Sequence, residues 1–255
     1  MPCLETKQLA IHIGNVDVCS RLELRVNAGE RWSILGRNGA GKTTLLHTLA
    51  GLRHPDQGRV LLDGISLMSL SRRKIARHIG VVFQEHQDAF PASVMETVLI
   101  GRHPYLGPLQ WEDAADYAAA RDALRAVGLQ GMEERGVATL SGGERRRLGI
   151  ATLLVQNPQV LLLDEPTNHL DFHHQILVLD LLKKRAEAGD TSLLLVLHDP
   201  NLARRYCDHF LLLYEGGETL QGPTEEVLTH SNLERLYGHP LLTVQGPHGT
   251  IWLPS

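Results

Sequence analysis

Cysteine is scarce in this 255-residue sequence, and long apolar runs are absent from it. The three cysteines, Cys3, Cys19 and Cys207, stand far apart and form neither a disulfide framework nor a CxxC site, which points to a reducing cytosol. No apolar run approaches the ~20 residues that a membrane-spanning helix needs, and the N-terminus lacks the cationic and apolar segments of a secretory signal. We therefore predict a cytosolic chain without a transmembrane segment.

An excess of positive charge is also missing. Lys and Arg number 25 against 29 Asp and Glu, which gives a net charge of −4. No global positive field favours nucleic acid as a partner. A bound polyanion would have to be held by a local site. The composition, 43% hydrophobic and 21% charged, is that of a packed globular protein.

Three short apolar runs, at 31–36, 158–165 and 191–199, do not alternate with polar residues. Such runs are typical of strands buried on both faces of a parallel sheet, and the first two are followed by helical periodicity. Before residue 31, and again at 58–64, short strands with turn signals predict an antiparallel flank. The predicted fold class is α/β, with a mixed parallel sheet and an N-terminal antiparallel β flank.

The segment between Gln84 and Pro158 has a helical pattern and interrupts the strand pattern. We predict a single domain over 1–255, in which 1–85 and 159–255 form the core and 86–158 form an inserted helical subdomain. The tail from residue 224 predicts two short helices and a hairpin.

The run GRNGAGKTT, residues 36–44, follows a predicted strand and precedes a predicted helix, the context in which G-x-x-x-x-G-K-[ST] binds nucleotide phosphates. Glycines let backbone N–H groups converge on phosphate oxygens, and the helix start adds a partial positive charge. Lys42 can contact the β and γ phosphates, and the Thr43 hydroxyl can bind Mg²⁺. The alternative is a glycine-rich turn before an ordinary helix with an exposed lysine.

The second apolar run ends in Asp164 and Glu165, and two adjacent buried carboxylates need a cation or a proton to offset their charge. Asp164 is suited to hold Mg²⁺ through water, and Glu165 to polarise a water that attacks the γ-phosphorus. A solvated turn that caps the next helix is the alternative. His198 ends the third run and could reach the same phosphate, although a histidine at the end of a strand is more often structural.

The LSGGE run, residues 140–144, contains Ser141-x-x-Glu144, which is a capping box. Capping does not explain Gly142 and Gly143 in the first turn of a helix, where each glycine costs about 1 kcal/mol relative to alanine. A close backbone approach to an anion would explain them.

Six motifs, namely GRNGAGKTT, Gln84 after a short strand, LSGGE, VLLLDEP, NHLD (168–171) and His198, occur in the order found in ATP-binding cassette (ABC) ATPases. The sequence resembles that family over nearly its whole length. The resemblance implies that the phosphate loop comprises Gly36, Asn38, Gly39, Gly41, Lys42, Thr43 and Thr44.

The same resemblance implies roles for the other motifs. Asp164, Gln84 and Thr43 are expected at Mg²⁺, Glu165 as the general base, and His198 as a switch residue. Ser141, Gly142 and Gly143 would close over ATP bound to an opposite subunit, with Asp171 at the junction. A head-to-tail homodimer with two ATP molecules is therefore expected.

Within the family, the 101–109 and 203–210 stretches resemble subunits that import iron–siderophore complexes, haem or cobalamin, and molybdate importers are close relatives of these. This resemblance implies a peripheral subunit on the cytoplasmic face of the inner membrane, a polytopic permease as partner, and a solute-binding protein as an indirect partner. The alternative is a soluble ABC ATPase of an assembly complex such as iron–sulphur cluster biogenesis.

Four smaller expectations complete the interpretation. The triple arginine 145–147 is predicted to be a solvated face or a modest electrostatic aid near the signature, and not a nucleic-acid patch. The pair His169 and His173 is not predicted to bind metal. The apolar side chains of 90–106, Met95 among them, are predicted to form a groove for a permease helix, with simple packing beneath the helical insertion as the alternative. Ile13 stands where the family usually has an aromatic residue that stacks on adenine.

Overall fold

The computed structural model describes residues 3–83, 91–246 and 249–255. The strands of the described residues are β1 (Leu4–Ile13), β2 (Val16–Leu22), β3 (Arg25–Val26), β4 (Arg31–Gly36), β5 (Gln57–Leu62), β6 (Ile65–Ser66), β7 (Ile79–Val82), β8 (Val160–Asp164), β9 (Ser192–Val196), β10 (His209–Leu213), β11 (Thr219–Pro223), β12 (Leu241–Gly246) and β13 (Gly249–Pro254). The helices are α1 (Lys42–Leu49), α2 (Arg72–His78), α3 (Val94–Leu99), α4 (Ala114–Ala126), α5 (Gly142–Gln156), α6 (Phe172–Glu187), α7 (Pro200–Tyr206), α8 (Thr224–Val227) and α9 (His230–Tyr237). None of the helices described is both long and apolar enough to cross a bilayer.

The central sheet has the strand order β11-β10-β4-β9-β8-β7, with β11 antiparallel and the other strands parallel. The three apolar runs become β4, β8 and β9, and nearly every residue in them is buried. This confirms the predicted α/β class. Because the carboxyl ends of parallel strands lie at one edge of a sheet, the segments that follow β4, β8 and β9 lie close together.

The predicted antiparallel flank is confirmed as a second sheet with the order β2-β1-β5-β6, and β3 pairs with β1. Its buried side chains, such as Leu9, Ile11 and Val18, share one apolar cluster with Leu45 and Leu49 of α1 and with Ile34 of β4. Helix α1 therefore lies between two sheets, and this packing fixes the start of the helix beside the end of β4.

Helices α3, α4 and α5 follow β7 and precede β8 in the sequence, and they pack on one another. Each helix begins with a capping box. The N-cap residue is Ser93, Asp113 or Ser141, and the carboxylate three residues later accepts a hydrogen bond from the backbone N–H of that N-cap residue. Val94 and Met95 are buried in this cluster. The predicted groove is therefore wrong at these two residues, because they form the core between the helices. Phe90 lies outside the described residues.

The C-terminal part contains the two predicted short helices, α8 and α9, and the predicted hairpin of β12 and β13. Trp252 of the hairpin is buried, and its backbone exchanges hydrogen bonds with the Asn201 side chain of α7 at 2.8 and 2.9 Å. The hairpin is thus attached to the helix that follows β9.

Candidate nucleotide site

The structure explains why two positions of the 36–44 loop are glycine. Gly39 and Gly41 have φ values of +82° and +84°, a region that favours glycine. A Cβ atom on Gly41 would also lie 2.3 Å from Cγ2 of Val18, which belongs to the antiparallel flank. Residue 41 must therefore be glycine, because Val18 occupies the space that a side chain at this position would need.

Lys42 is 7% exposed, and its ammonium group lies inside the curve of the loop. It donates hydrogen bonds to the carbonyl oxygens of Gly36 at 2.9 Å and Arg37 at 3.0 Å. Burial lowers the pKa of Lys42, while the nearby carboxylates of Glu165 and Asp164 act in the opposite direction. The lysine is thus held by backbone oxygens at the position where phosphate oxygens would meet it.

Asp164 ends β8 and meets the first turn of α1. The Thr43 hydroxyl donates to Oδ2 of Asp164 at 2.5 Å, whereas Oδ1 is buried and has no hydrogen-bond partner among the residues that the structure describes. Burial raises the pKa of the Asp164 carboxyl group, against the effect of the Thr43 hydrogen bond. A buried carboxylate oxygen without a partner, beside a hydroxyl, is a donor set that fits a hard divalent cation such as Mg²⁺.

Both carboxylate oxygens of Glu165 are held by neighbours. His198 Nε2 lies 2.5 Å from Oε1, and the Asn168 amide donates to Oε2. The backbone of Glu165 has φ +50°, an uncommon value for glutamate, and its N–H donates to Val196 O at 3.1 Å. Asn168 was not predicted as a partner of Glu165. Its place in NHLD marked it as a motif residue, but only the tertiary structure shows the contact.

One open cleft collects most of the residues predicted to bind or hydrolyse nucleotide. It is lined by Ile13, Asn38, Gly39, Gly41, Lys42, Thr43, Thr44, Glu165 and His198. Gly36 lies at the floor of the loop, against the carbonyl oxygen of Leu213. Ile13 is 41% exposed, so an aliphatic side chain is available at the edge of this cleft. Gln84 lies outside the described residues.

The predicted signature residues line a second cleft, made by Ser141, Gly142, Gly143, Glu144, Arg147, His169, Leu170, Asp171 and His174. Ser141 caps α5 and exchanges hydrogen bonds with Glu144, while Asp171 caps α6 and contacts His174. A Cβ atom on Gly143 would lie 2.9 Å from His169 O, so packing within the chain already requires this glycine. Within one chain, the two clefts remain separate sites.

The prediction of a solvated arginine face is wrong for Arg146 and Arg147, which are buried. Arg146 donates to the carbonyl oxygens of Phe83 and Asp164, and Arg147 donates to those of Val127 and Gly128 at 2.9 Å. Burial lowers the pKa of Arg146 to about 10, so it stays charged at neutral pH. Each arginine satisfies two carbonyl groups at element ends that would otherwise lack donors.

The glycine loop lies between a buried strand and a helix, and it is accompanied by a buried lysine, a hydroxyl and two carboxylates at a strand end. This arrangement defines a nucleoside-triphosphate-binding protein of the P-loop class. The sequence profile of the ABC transporter family matches residues 19–168. The chain belongs to the ABC transporter family, and this membership makes it an ATP-binding, ATP-hydrolysing protein.

Comparisons with individual proteins agree with this assignment. The chain is 37% identical to the petrobactin import ATP-binding protein of Bacillus anthracis, over 96% of this chain and 93% of the relative. A metal-chelate type ABC transporter in an inward-facing conformation matches with a TM-score of 0.86 and 29% identity, over 100% and 98% of the two chains. A dimeric ATP-binding cassette bound to ADP and Pi matches with a TM-score of 0.76 and 27% identity, over 86% and 98%.

Proposed function

We propose that this chain is the ATP-hydrolysing, energy-coupling subunit of a bacterial importer for a metal chelate such as an iron–siderophore complex, haem or cobalamin. The observation that carries the proposal is the pair of separate clefts, one lined by the phosphate-loop residues and the other by the signature residues, in a chain similar to a petrobactin import protein and to a metal-chelate transporter. The subunit would lie on the cytoplasmic face of the inner membrane, bind a polytopic permease, and act indirectly with a solute-binding protein.

In the proposed mechanism, the backbone of the 36–44 loop and Lys42 hold the phosphates of ATP. Thr43, Asp164 and Gln84 would hold Mg²⁺, which neutralises phosphate charge when bound. Glu165 accepts a proton from the attacking water, because its carboxylate lies at the cleft and is oriented by Asn168 and His198. His198 both positions Glu165 and faces the γ-phosphate.

The second cleft would act on the ATP of a partner subunit. Ser141, Gly142 and Gly143 present the positive end of a 15-residue helix, which can close over a γ-phosphate held by the other chain. Asp171 would lie at the junction between the subunits. We also propose that residues 86–158 move as a helical subdomain against a core of 1–85 and 159–255, so that closure joins the two clefts.

A mixed dimer tests this shared site. One chain carries Lys42→Ala and the other Ser141→Arg, so one of the two sites has both defects and the other has neither. We expect ATPase activity above that of either mutant homodimer, measured on heterodimers purified with two affinity tags. A mixed dimer no more active than the homodimers would contradict the head-to-tail arrangement.

Ile13→Tyr tests the edge of the cleft. Stacking of a base on an aromatic ring contributes about 1–3 kcal/mol, so we expect ATP affinity to rise roughly 5-fold to 150-fold. The parent chain should discriminate little between ATP and GTP, because phosphates do not identify the base. Isothermal titration with both nucleotides measures this, with Ile65→Tyr on β6 as the control. A strong ATP preference in the parent would show that the isoleucine already recognises the base.

The protein with which the chain associates distinguishes an importer subunit from an ATPase of an assembly complex. We expect the chain, tagged and expressed at its natural level, to co-purify with a polytopic membrane protein and to support uptake of a labelled metal chelate by the reconstituted complex. Recovery with soluble cluster-assembly proteins instead, and no effect on uptake, would favour the alternative.

A further inference from the structure

Helix α2 exposes four cationic side chains, Arg72, Arg73, Lys74 and Arg77. Among the described residues, no carboxylate oxygen lies within ion-pair distance of them. The acceptors of the arginines are backbone carbonyl oxygens: Arg72 donates to Gly51, and Arg73 and Arg77 donate to Pro104 at 2.9 and 2.7 Å. The positive charge of this helix is therefore not neutralised within the described chain.

An apolar turn, residues 106–111, lies next to α2. Its tip carries Leu109, which is 99% exposed, and Trp111, which is 84% exposed. Gln110 Oε1 accepts from Gly107 N–H at 2.8 Å and closes the turn. Leu109 also has φ +62°, which is uncommon for leucine, and no packing of its side chain within the described chain stabilises this conformation. Leu109 and Trp111 thus project into solvent and do not line a groove.

Helix α2 and the apolar turn are held together. Arg73 donates to the carbonyl oxygen of Leu106, the first residue of the turn. The guanidinium groups of Arg77 and Arg102 both lie over the ring of Tyr105, at 5.5 and 4.5 Å from its centroid. The charged groups and the apolar tip therefore form one surface.

Among the residues that the structure describes, the acidic groups near this surface have partners within the chain. Glu112 lies 3.8 Å from His103 Nε2, and Asp113 caps α4. Asp116 is bonded to Arg102 at 2.7 Å. The four cations of α2 therefore dominate the charge that the described part of this surface presents.

We propose that the surface made of α2 and the apolar turn binds an anionic lipid membrane directly. Exposed cations attract anionic headgroups, and tryptophan with leucine on a protruding turn is suited to enter the headgroup region. Each cation near such a membrane contributes about 5-fold to binding, which corresponds to ~1 kcal/mol. The combination of four exposed cations with an almost fully exposed Leu109 and Trp111 favours an anionic lipid surface over a partner protein. This property goes beyond ATP-driven import and does not depend on the transported solute.

The chain contains its own reporter. Trp32 and Trp252 are 5% and 4% exposed, so iodide in the solvent quenches mainly Trp111. With vesicles of phosphatidylcholine containing phosphatidylserine, we expect co-sedimentation of the isolated subunit, a blue shift of its fluorescence and protection from iodide. Vesicles of phosphatidylcholine alone should give none of these. The experiment is done without ATP.

Two variants and one control complete the test. Arg72→Glu with Lys74→Glu should weaken vesicle binding about 25-fold or more, and Trp111→Ser about 10-fold, because an apolar side chain no longer enters the membrane. The control, Arg59→Glu with Lys184→Glu, changes the net charge equally at exposed positions elsewhere and should bind like the parent. Unchanged thermal unfolding confirms that the variants are folded.

Three results would overturn the proposal: no preference for anionic vesicles, equal loss in the control, or parental vesicle binding by both test variants. A defect of the test variants only in binding a detergent-solubilised permease would assign the surface to a protein partner instead. Because vesicle binding is measured on the isolated subunit, its failure leaves the proposed import function untouched.

Discussion

Glu165→Gln is expected to lower ATP turnover by roughly 10²–10⁴-fold, the range for loss of a general base, while ATP still binds. The carboxylate lies at the cleft between His198 and Asn168, whereas Lys42 and the loop backbone that hold the phosphates are unchanged. Glutamine keeps the size of the side chain but cannot accept the proton of the attacking water. Dimers should therefore accumulate in the presence of ATP.

The measurement combines steady-state phosphate release, nucleotide titration and gel filtration with ATP. Glu226→Gln, an exposed carboxylate outside the cleft, is the control and should retain parental turnover. If Glu165→Gln hydrolyses ATP at the parental rate, the water is activated by another group. If the variant loses ATP binding as well, Glu165 has a structural role.

Arg146→Ala should destabilise the protein by about 3–5 kcal/mol. The guanidinium group is buried and donates to the carbonyl oxygens of Phe83 and Asp164, and each unsatisfied buried carbonyl costs ~1–3 kcal/mol. Urea unfolding without nucleotide measures the loss. Arg121→Ala, at an exposed site on α4, should stay within ~0.5 kcal/mol of the parent.

A loss below about 1 kcal/mol for Arg146→Ala would mean that water replaces the guanidinium group without penalty. Arg146→Lys provides a second measurement, because it keeps the charge but has one ammonium in place of the planar fork that reaches both carbonyls. We expect it to recover only part of the stability.

The sequence predicted those parts of the fold that have a local signal. Non-alternating apolar runs indicated β4, β8 and β9, and the loop at 36–44 was located by its glycines and lysine. The burial of Arg146 and Arg147 could not be predicted, because a charged side chain is buried only where distant carbonyl groups need donors. The same holds for Met95, whose burial depends on how α3 packs against other helices.

The candidate site was predictable as a set of motifs but not as an arrangement. Nothing local relates Asn168 to the side chain of Glu165, or the carbonyl oxygen of His169 to Gly143. Likewise, the separation of the signature residues from the phosphate loop followed only from the family resemblance. Contacts between segments far apart in sequence require the tertiary structure.

Because Val18 packs against Gly41, the phosphate loop depends for its conformation on a residue outside 36–44. Val18 belongs to β2 and Ile13 to β1, and the two strands form one hairpin. The same hairpin thus supplies both the brace behind the loop and the edge of the cleft. A graft of residues 36–44 into a sheet that lacks the hairpin would lose this brace. A one-residue insertion in the turn at Gly14 would displace Val18 relative to Ile13, whereas a substitution such as Ile13→Tyr changes the edge of the cleft and leaves the contact behind the loop in place.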